Sequence, residues 1–493
     1  HGTNPQHGCR HGTNAQTQAS ASTSTLIPVF TMRHSSLLAL AAFCLISIPG
    51  VPSRAAPQAQ GPFLREQQLR PLPGQLDELL LLNDNNPELI TGEGVLLSTF
   101  PANQGLNVAL DGRFDLFSHH VYAGKPEELA STLWLAVLAQ PVGTKPVTLD
   151  VISGSTSLSQ GTKPGQTAAP FLPLPSLMAE TTTPIASGPG SRVAGDLLRG
   201  DQAPELPKQI KIGPGHASAL LVLPIPVAGL DPLLNGRNLQ LRLNSSAPVY
   251  VATVAAYGNN DSPPSDQRWR ALLSSGTLSP KEHQPTPRGS KGRMIYSRVS
   301  GVQIGSTWTG SLTDPGSDTL NINEAPISWP ISSLERGDLG TAQVQTAELQ
   351  RFDKGTAWAA HGNYGVEYDL SLPLHNPEHS QRTVAIALES PDKRGSSNGK
   401  LQFQPGNSGP VMFRGPIEVT GLDGANGRGM GRRRFHLVLR RGQEGPKLGT
   451  VSLAPGESRR VRVRLVYPAD ATPPQVLSVL PVKQSNSTTD VHP

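Results

Sequence analysis

The sequence predicts an all-β protein: two tandem Ig-like β-sandwich domains joined by a Pro/Gly/Ser-rich linker, behind a disordered N-terminal extension. Three observations carry this expectation. Fifty glycines and 47 prolines among 493 residues exceed the ~12% usual for the two together, so the chain turns often. Short apolar or alternating runs of strand length recur between these turn signals, as they do in sandwiches. Charged residues make up only 16% and aromatics 5%, and no long stretch carries the 3.6-residue apolar period of a helix.

Taken in order, residues 1–31 are polar, repeat "HGTNPQ" as "HGTNAQ", and are expected to be a disordered upstream extension. Residues 32–55 read as a secretory signal peptide. Met32, Arg33 and His34 lead into the twelve-residue apolar core "LLALAAFCLISI", with cleavage expected after Ala55. That core is too short for a permanent transmembrane span, so the mature chain is expected outside the cytoplasm, in the periplasm, cell envelope or medium. Cys9 and Cys44 both precede Ala55, which excludes disulfides, thiolate metal sites and cysteine catalysis in the mature chain. Loss of Arg10, Arg33 and Arg54 also lowers the net charge from +5 to +2, so bulk basicity says little about partners.

An extended N-terminal segment is expected over 56–90 and the first sandwich over 91–258. Its strands are read at "STLWLAVLAQP" (131–141), "VTLDV" (147–151), "QIKI" (209–212), "ALLVLPIPV" (219–227), "LQLRLN" (239–244) and "VYVATVAAY" (249–257). Residues 259–293 form the linker, with "WRALL" (269–273) as one helical turn. The second sandwich, 294–482, repeats the pattern. "VEYDLSLPLHNPEHSQRTVAIAL" (366–388) parallels "LWLAVLAQPVGTKPVTLDV" (133–151), and "VSLAPGESRRVRVRLVYP" parallels "IKIGPGHASALLVLPIP". Residues 483–493 are expected as a disordered tail.

Three motifs invite a functional reading. His361, Asp369 and Ser408 stand in the chain order of a chymotrypsin-type triad. Alternation in "VEYDLSL", however, points Val366, Tyr368, Leu370 and Leu372 inward and Asp369 outward with Glu367 and Ser371. The Ser motif also lacks the second glycine that shapes an oxyanion hole, so the three are read as ordinary residues and no catalytic residue is assigned. In "GRFDLFSHHV", Asp115 and His119 are weak metal-ligand candidates. His119 and His120 point to opposite strand faces and cannot converge on one ion, so no metal site is assigned; one histidine is expected buried and one exposed.

The third motif is electrostatic. Between Arg428 and Arg464 stand eleven cations and two anions. Alternation turns Arg460, Arg462 and Arg464 outward, and Arg432, Arg433, Arg434, Arg440 and Arg441 flank another strand. If the two strands pair through the "GQEGPKLG" connection, the eight arginines form one basic face suited to carboxylate, sulfate or phosphate. Anionic envelope polysaccharide or lipid headgroups are the partners such a face implies. Nucleic acid is not expected. With no phosphate-cradling glycine loop and no zinc-type spacing, no cofactor is expected either.

Several phrases together resemble a known family: "RPLPGQLD", "EGVLLSTFP", "GRFDLFSHHV", "GPGSRVAGDLLRG", "AAHGNYGVEYDLSLPLHNP", "HLVLRRGQEG" and "YPADATPPQVLSV". The chain is similar, from about Arg70 to Val479, to the cyanobacterial secreted family catalogued as domain of unknown function 3370. The resemblance implies an exported cyanobacterial protein and transfers no activity, ligand or catalytic residue. The function expected is therefore non-enzymatic binding or organisation of envelope material through the arginine face. A polysaccharide-active hydrolase using loop carboxylates such as Glu93, Asp111 or Asp115, and an assembly subunit of an envelope complex, are the alternatives.

Overall fold

The longest strand, Asn235–Tyr257, organises the first half of the chain. The sequence suggests two strands here, but the structure makes one, with its register broken between Ser245 and Val249. Pro248 has no N–H for a ladder, so the strand bends there and changes partners. Its first half lies between Leu110–Tyr122 and Val147–Leu158, and its second half pairs with Leu133–Pro141 and Gly94–Ser98. The computed structural model describes residues 61–482 except 126–127, 129–130, 162–172, 260–261, 398 and 407. The expected extension, signal peptide, both cysteines and C-terminal tail lie outside the described residues.

Among the described residues the strands form four sheets, of ten, eight, five and two strands, so the fold is mostly β as expected. In the eight-stranded sheet, Val366, Tyr368, Leu370, Leu372 and Leu374 are completely buried, as their alternation requires. They share one core with Trp329 and Ile331, Ile386 and Leu388, and Leu477 and Val479 from the five-stranded sheet. A separate apolar cluster, from Leu82 to Val302, fills the ten-stranded sheet. The described residues belong to one compact unit, Ala59–Pro493.

Strand pairing crosses the expected boundaries at 258 and 294. Leu177–Glu180 joins the eight-stranded sheet beside Arg433–Arg440. Val299–Ile304 and Leu349–Phe352 extend the ten-stranded sheet next to Leu80–Leu89. That last strand, read from sequence as part of an extended N-terminal segment, instead runs inside the sheet, parallel to Leu110–Tyr122. Its "NDNNPE" looks like a turn because Asn, Asp and Pro favour turns. Two of its buried polar side chains find partners in the sheet: Asn83 donates to Gln303 Oε1 at 3.0 Å, and Asp84 Oδ2 accepts from Ser118 at 2.9 Å.

Two α-helices occur among the described residues. Helix α1, Pro189–Arg199, starts at a proline, ends at Gly200 with φ 76°, and packs Val193, Ala194 and Leu197 against Val466. Proline at the start and glycine past the end are helix punctuation. Helix α2, Asp266–Ser275, contains the expected "WRALL" turn, is capped by Ser265, and buries Trp269 and Leu273. None of these helices is long and apolar enough to cross a membrane.

Candidate functional site

The arginine-bearing strands do not pair with each other. Val411–Thr420 lies between Arg433–Arg440 and Ser458–Val466, and the connection between them supplies Lys447–Leu453 to another sheet. This corrects the expected single basic face: an intervening strand brings its own carboxylate. Glu418 is 3% exposed, accepts from Arg434 at 2.9 Å and Arg464 at 3.0 Å, and lies 3.4 Å from Arg432. Arg464 also grips Glu367 at 2.6 Å, and Arg462 holds Asp369 through both carboxylate oxygens. Arg242 of the ten-stranded sheet reaches the other oxygen of Glu367 at 2.7 Å. The Asp369 hydrogen bond raises the Arg462 pKa, and Glu367 and Glu418 raise that of Arg464 against its burial.

The remaining arginines separate. Arg433 and Arg460 are exposed and make no ion pair among the described residues. Arg440 donates to the Gly409 carbonyl at 2.8 Å, and Arg441 lines a small cavity with Asp392 and Lys393, at the far end of their strand. The "outward" face of "VEYDLSL" is therefore a ladder of alternating charges. Sequence segregates these charges and strand order mixes them again.

The residues of the apparent triad are likewise held apart. His361 contacts the Ser297 carbonyl through Nε2 at 2.7 Å, Asp369 is taken by Arg462, and Ser408 is exposed in a loop. Asp115 is 1% exposed between Arg113 at 3.6 Å and Arg242 at 3.9 Å, and burial raises its carboxyl pKa. His119 is half-buried and His120 fully buried, 2.9 Å from Asp84. Burial works against the Asp84 anion, but His120, Thr253 and Ser118 outweigh it and hold the carboxyl low. Glu93 accepts from the Tyr257 N–H and pairs with Arg268, while Asp111 is exposed. Glu93, Asp111 and Asp115 thus have separate surroundings and form no acid pair.

What the fold does build is a cleft of about 390 Å³ beside the "HGNYG" turn, within the ~300–1,000 Å³ of small-ligand sites. One wall is the Pro- and Gly-rich segment 285–296, where Gly289 and Gly292 take φ of 76° and 90°. The other walls come from Leu334–Arg336, Val344–Glu348 and Ala357–His361. Trp358 donates its indole N–H to the Thr286 carbonyl at 3.3 Å, and the Arg288 guanidinium lies 5.4 Å from the Trp358 ring. Arg288 also pairs with Glu348, and Arg336 donates to the Ser290 and Gly292 carbonyls. Tyr296 meets the His361 ring edge-on at 4.5 Å.

A second cavity of about 310 Å³ shares Tyr296, Leu334 and His361, and continues to His119, Tyr364 and Lys393. Burial pushes His361 down to about 4 despite the Ser297 carbonyl, and His119 down to about 3. Both rings are neutral at physiological pH. The turn between the cavities is fixed from beneath. Asn363 donates to Gln345 O at 3.1 Å and Tyr368 Oη at 2.8 Å, and Tyr364 Oη donates to Ala471 O at 2.9 Å. Gly365 has φ 79°, and a Cβ there would lie 2.8 Å from the Phe117 ring, so only glycine permits this approach. Gln240 then donates to the Gly365 carbonyl at 2.6 Å.

Of the cleft's walls, only His361 belongs to a motif conspicuous in the sequence. The available signal was apolar and aromatic residues in a loop composition, "MIY" and "AWAAH", where loops are ordinarily polar. Comparison with curated proteins finds no match to the chain. Over residues 67–481 the chain matches the family model described as "Protein of unknown function (DUF3370)". That span takes in both cavities, the charge ladder and the turn, and on it the chain belongs to the DUF3370 family.

Proposed function

We propose that this chain is a non-enzymatic binding protein of the cyanobacterial cell envelope, exported by its leader, which holds a glycan segment in the cleft at Trp358. The observation that carries this reading is apolar and aromatic surface left open to water around a concave site. Tyr296 is 38% exposed, Ile295 47% and Val344 49%. Sugar rings present C–H faces that pack on indole and phenol rings, and hydroxyls that bond to charged groups at a rim. Here the rings are Trp358 and Tyr296, and the rim is Arg288, Glu335, Arg336 and Glu348. Binding is favoured over hydrolysis because Glu348 is engaged by Arg288 and His361 by the Ser297 carbonyl.

The arginine ladder contributes less to this reading, since Glu418, Glu367 and Asp369 hold four of its arginines, Arg432, Arg434, Arg462 and Arg464. Two Ig-like sandwiches in tandem, linked by 259–293, remain the proposed origin of the fold, supported by its two large separate cores.

The test is calorimetric titration of the chain with envelope oligosaccharides, neutral and sulfated. Trp358→Ala is expected to weaken binding at least tenfold, the scale of one lost aromatic anchor. The paired change Arg433→Glu, Arg460→Glu is expected to leave affinity within twofold. The reverse pattern would return the ligand to the arginine face.

A further inference from the structure

We propose that Glu88, Glu282 and His283 form a binding site for a divalent transition-metal ion of the zinc class. Glu88 stands near the end of the inner strand Leu80–Leu89, and its two oxygens have different surroundings. Oε2 accepts the backbone N–H of Glu282 at 2.5 Å and of His283 at 3.2 Å. Oε1 is buried and has no hydrogen-bond partner. The residue is only 6% exposed, and an ionised oxygen at such a position is costly unless something positive satisfies it.

Oε1 points at the site. It lies 3.7 Å from His283 Nδ1, too far for a hydrogen bond. One ligand atom each from Glu88, Glu282 and His283 lie within 4.8 Å of one another. Tetrahedral ligands about 2.1 Å from a zinc ion stand about 3.4 Å apart. The Glu88–His283 pair therefore needs to close by only a few tenths of an ångström, and the exposed Glu282 side chain supplies the rest. One imidazole and two carboxylates suit zinc, manganese or cobalt better than calcium, which prefers six or more oxygens. Lys281 and Arg298 both feel the Glu88 charge, which limits affinity without occupying Oε1.

The site stands independently of any ligand in the cleft, yet is mechanically joined to it. Ser297 donates to the His283 carbonyl at 2.7 Å, and its own carbonyl contacts His361 Nε2. An ion at His283 thus braces the start of the segment that forms one cleft wall.

The test is equilibrium dialysis of the chelator-stripped chain against zinc chloride. His1→Ala, His7→Ala, Cys9→Ala, His11→Ala, His34→Ala and Cys44→Ala are made throughout, so that the histidines and cysteines before residue 56 take up no metal. The parent is expected to bind one zinc per chain, and Glu88→Gln and His283→Ala to bind at least tenfold more weakly. His283 is exposed, so His283→Ala keeps the fold and serves should Glu88→Gln not fold. Zinc should raise the unfolding midpoint of the parent and leave that of His283→Ala unchanged. Equal uptake by parent and His283→Ala, no uptake by the parent, or calcium uptake indifferent to His283→Ala would each overturn the site.

Discussion

The arginine ladder and the Trp358 cleft lie in the same protein and hide in opposite ways. The ladder is conspicuous in the sequence, eleven cations against two anions in one stretch, and in the fold its centre is paired with carboxylates. The cleft is inconspicuous in the sequence, a loop among loops, and leaves aromatic surface open to water. Charges are counted along the chain but act in space. Glu418 and Glu367, on different strands, end up against Arg464. A basic run in a β-protein therefore says what a strand offers its neighbours before it says anything about a ligand.

The sharpest way to break this comparison is Glu418→Gln. It removes a buried carboxylate on which Arg434 and Arg464 depend, and should cost about 4 kcal/mol, as for other broken buried pairs. Urea unfolding measures that loss, and the glycan affinity of the folded fraction should not change. A drop in affinity without a drop in stability would make the ladder a ligand site after all.

The cleft offers the next test, through acid. His361 is held near 4 in the folded chain against about 6.5 unfolded. Between those values the unfolded chain binds the extra proton, so stability is present above about pH 6.5 and falls as pH drops toward 4. The loss reaches at most about 3 kcal/mol, less where the ring edge meets water. His361→Gln removes this contribution, so its stability deficit relative to the native chain should narrow by that amount between pH 7.5 and 4. A deficit constant with pH would mean that the ring is not desolvated in its place beside Tyr296.

Smaller effects complete the series. Asp369→Asn breaks the pairing with Arg462, whose side chain is 54% exposed, and should cost less than about 1 kcal/mol, as surface ion pairs do. Arg460→Ala should stay within about 0.5 kcal/mol of the native chain. Chemical denaturation of the two side by side grades the ladder from its buried centre to its solvent edge.

Much of the fold is legible where one physical rule dominates. "VEYDLSL" alternates because its inward residues reach a dry core, and "QIKI" is a strand from end to end, Gln209–Ile212. Legibility fails where two rules compete. "NDNNPE" carries turn-forming residues, but a hydrogen bond from Asn83 to Gln303 and one from Ser118 to Asp84 help admit it to a sheet interior. "LQLRLN" and "VYVATVAAY" look like two strands because Pro248 interrupts them, although the backbone runs on. Strand order was the larger loss: nothing local in "RRRFHLVLRR" says that Val411–Thr420 will lie beside it. Of the site, only His361 stands out in the sequence, and there it reads as an ordinary residue of a Gly-rich turn. The walls at 285–296 and 344–348 come together through long-range pairing that no local pattern announces.

The central claim is that ligand contact belongs to the cleft and not to the arginines. Amide hydrogen exchange of the chain with and without a bound envelope oligosaccharide tests it most directly. The account predicts slowed exchange in residues 285–296 and 357–361, with Arg433–Arg440 and Ser458–Val466 unchanged. Protection confined to those two strands, with the cleft walls exchanging as before, would contradict it.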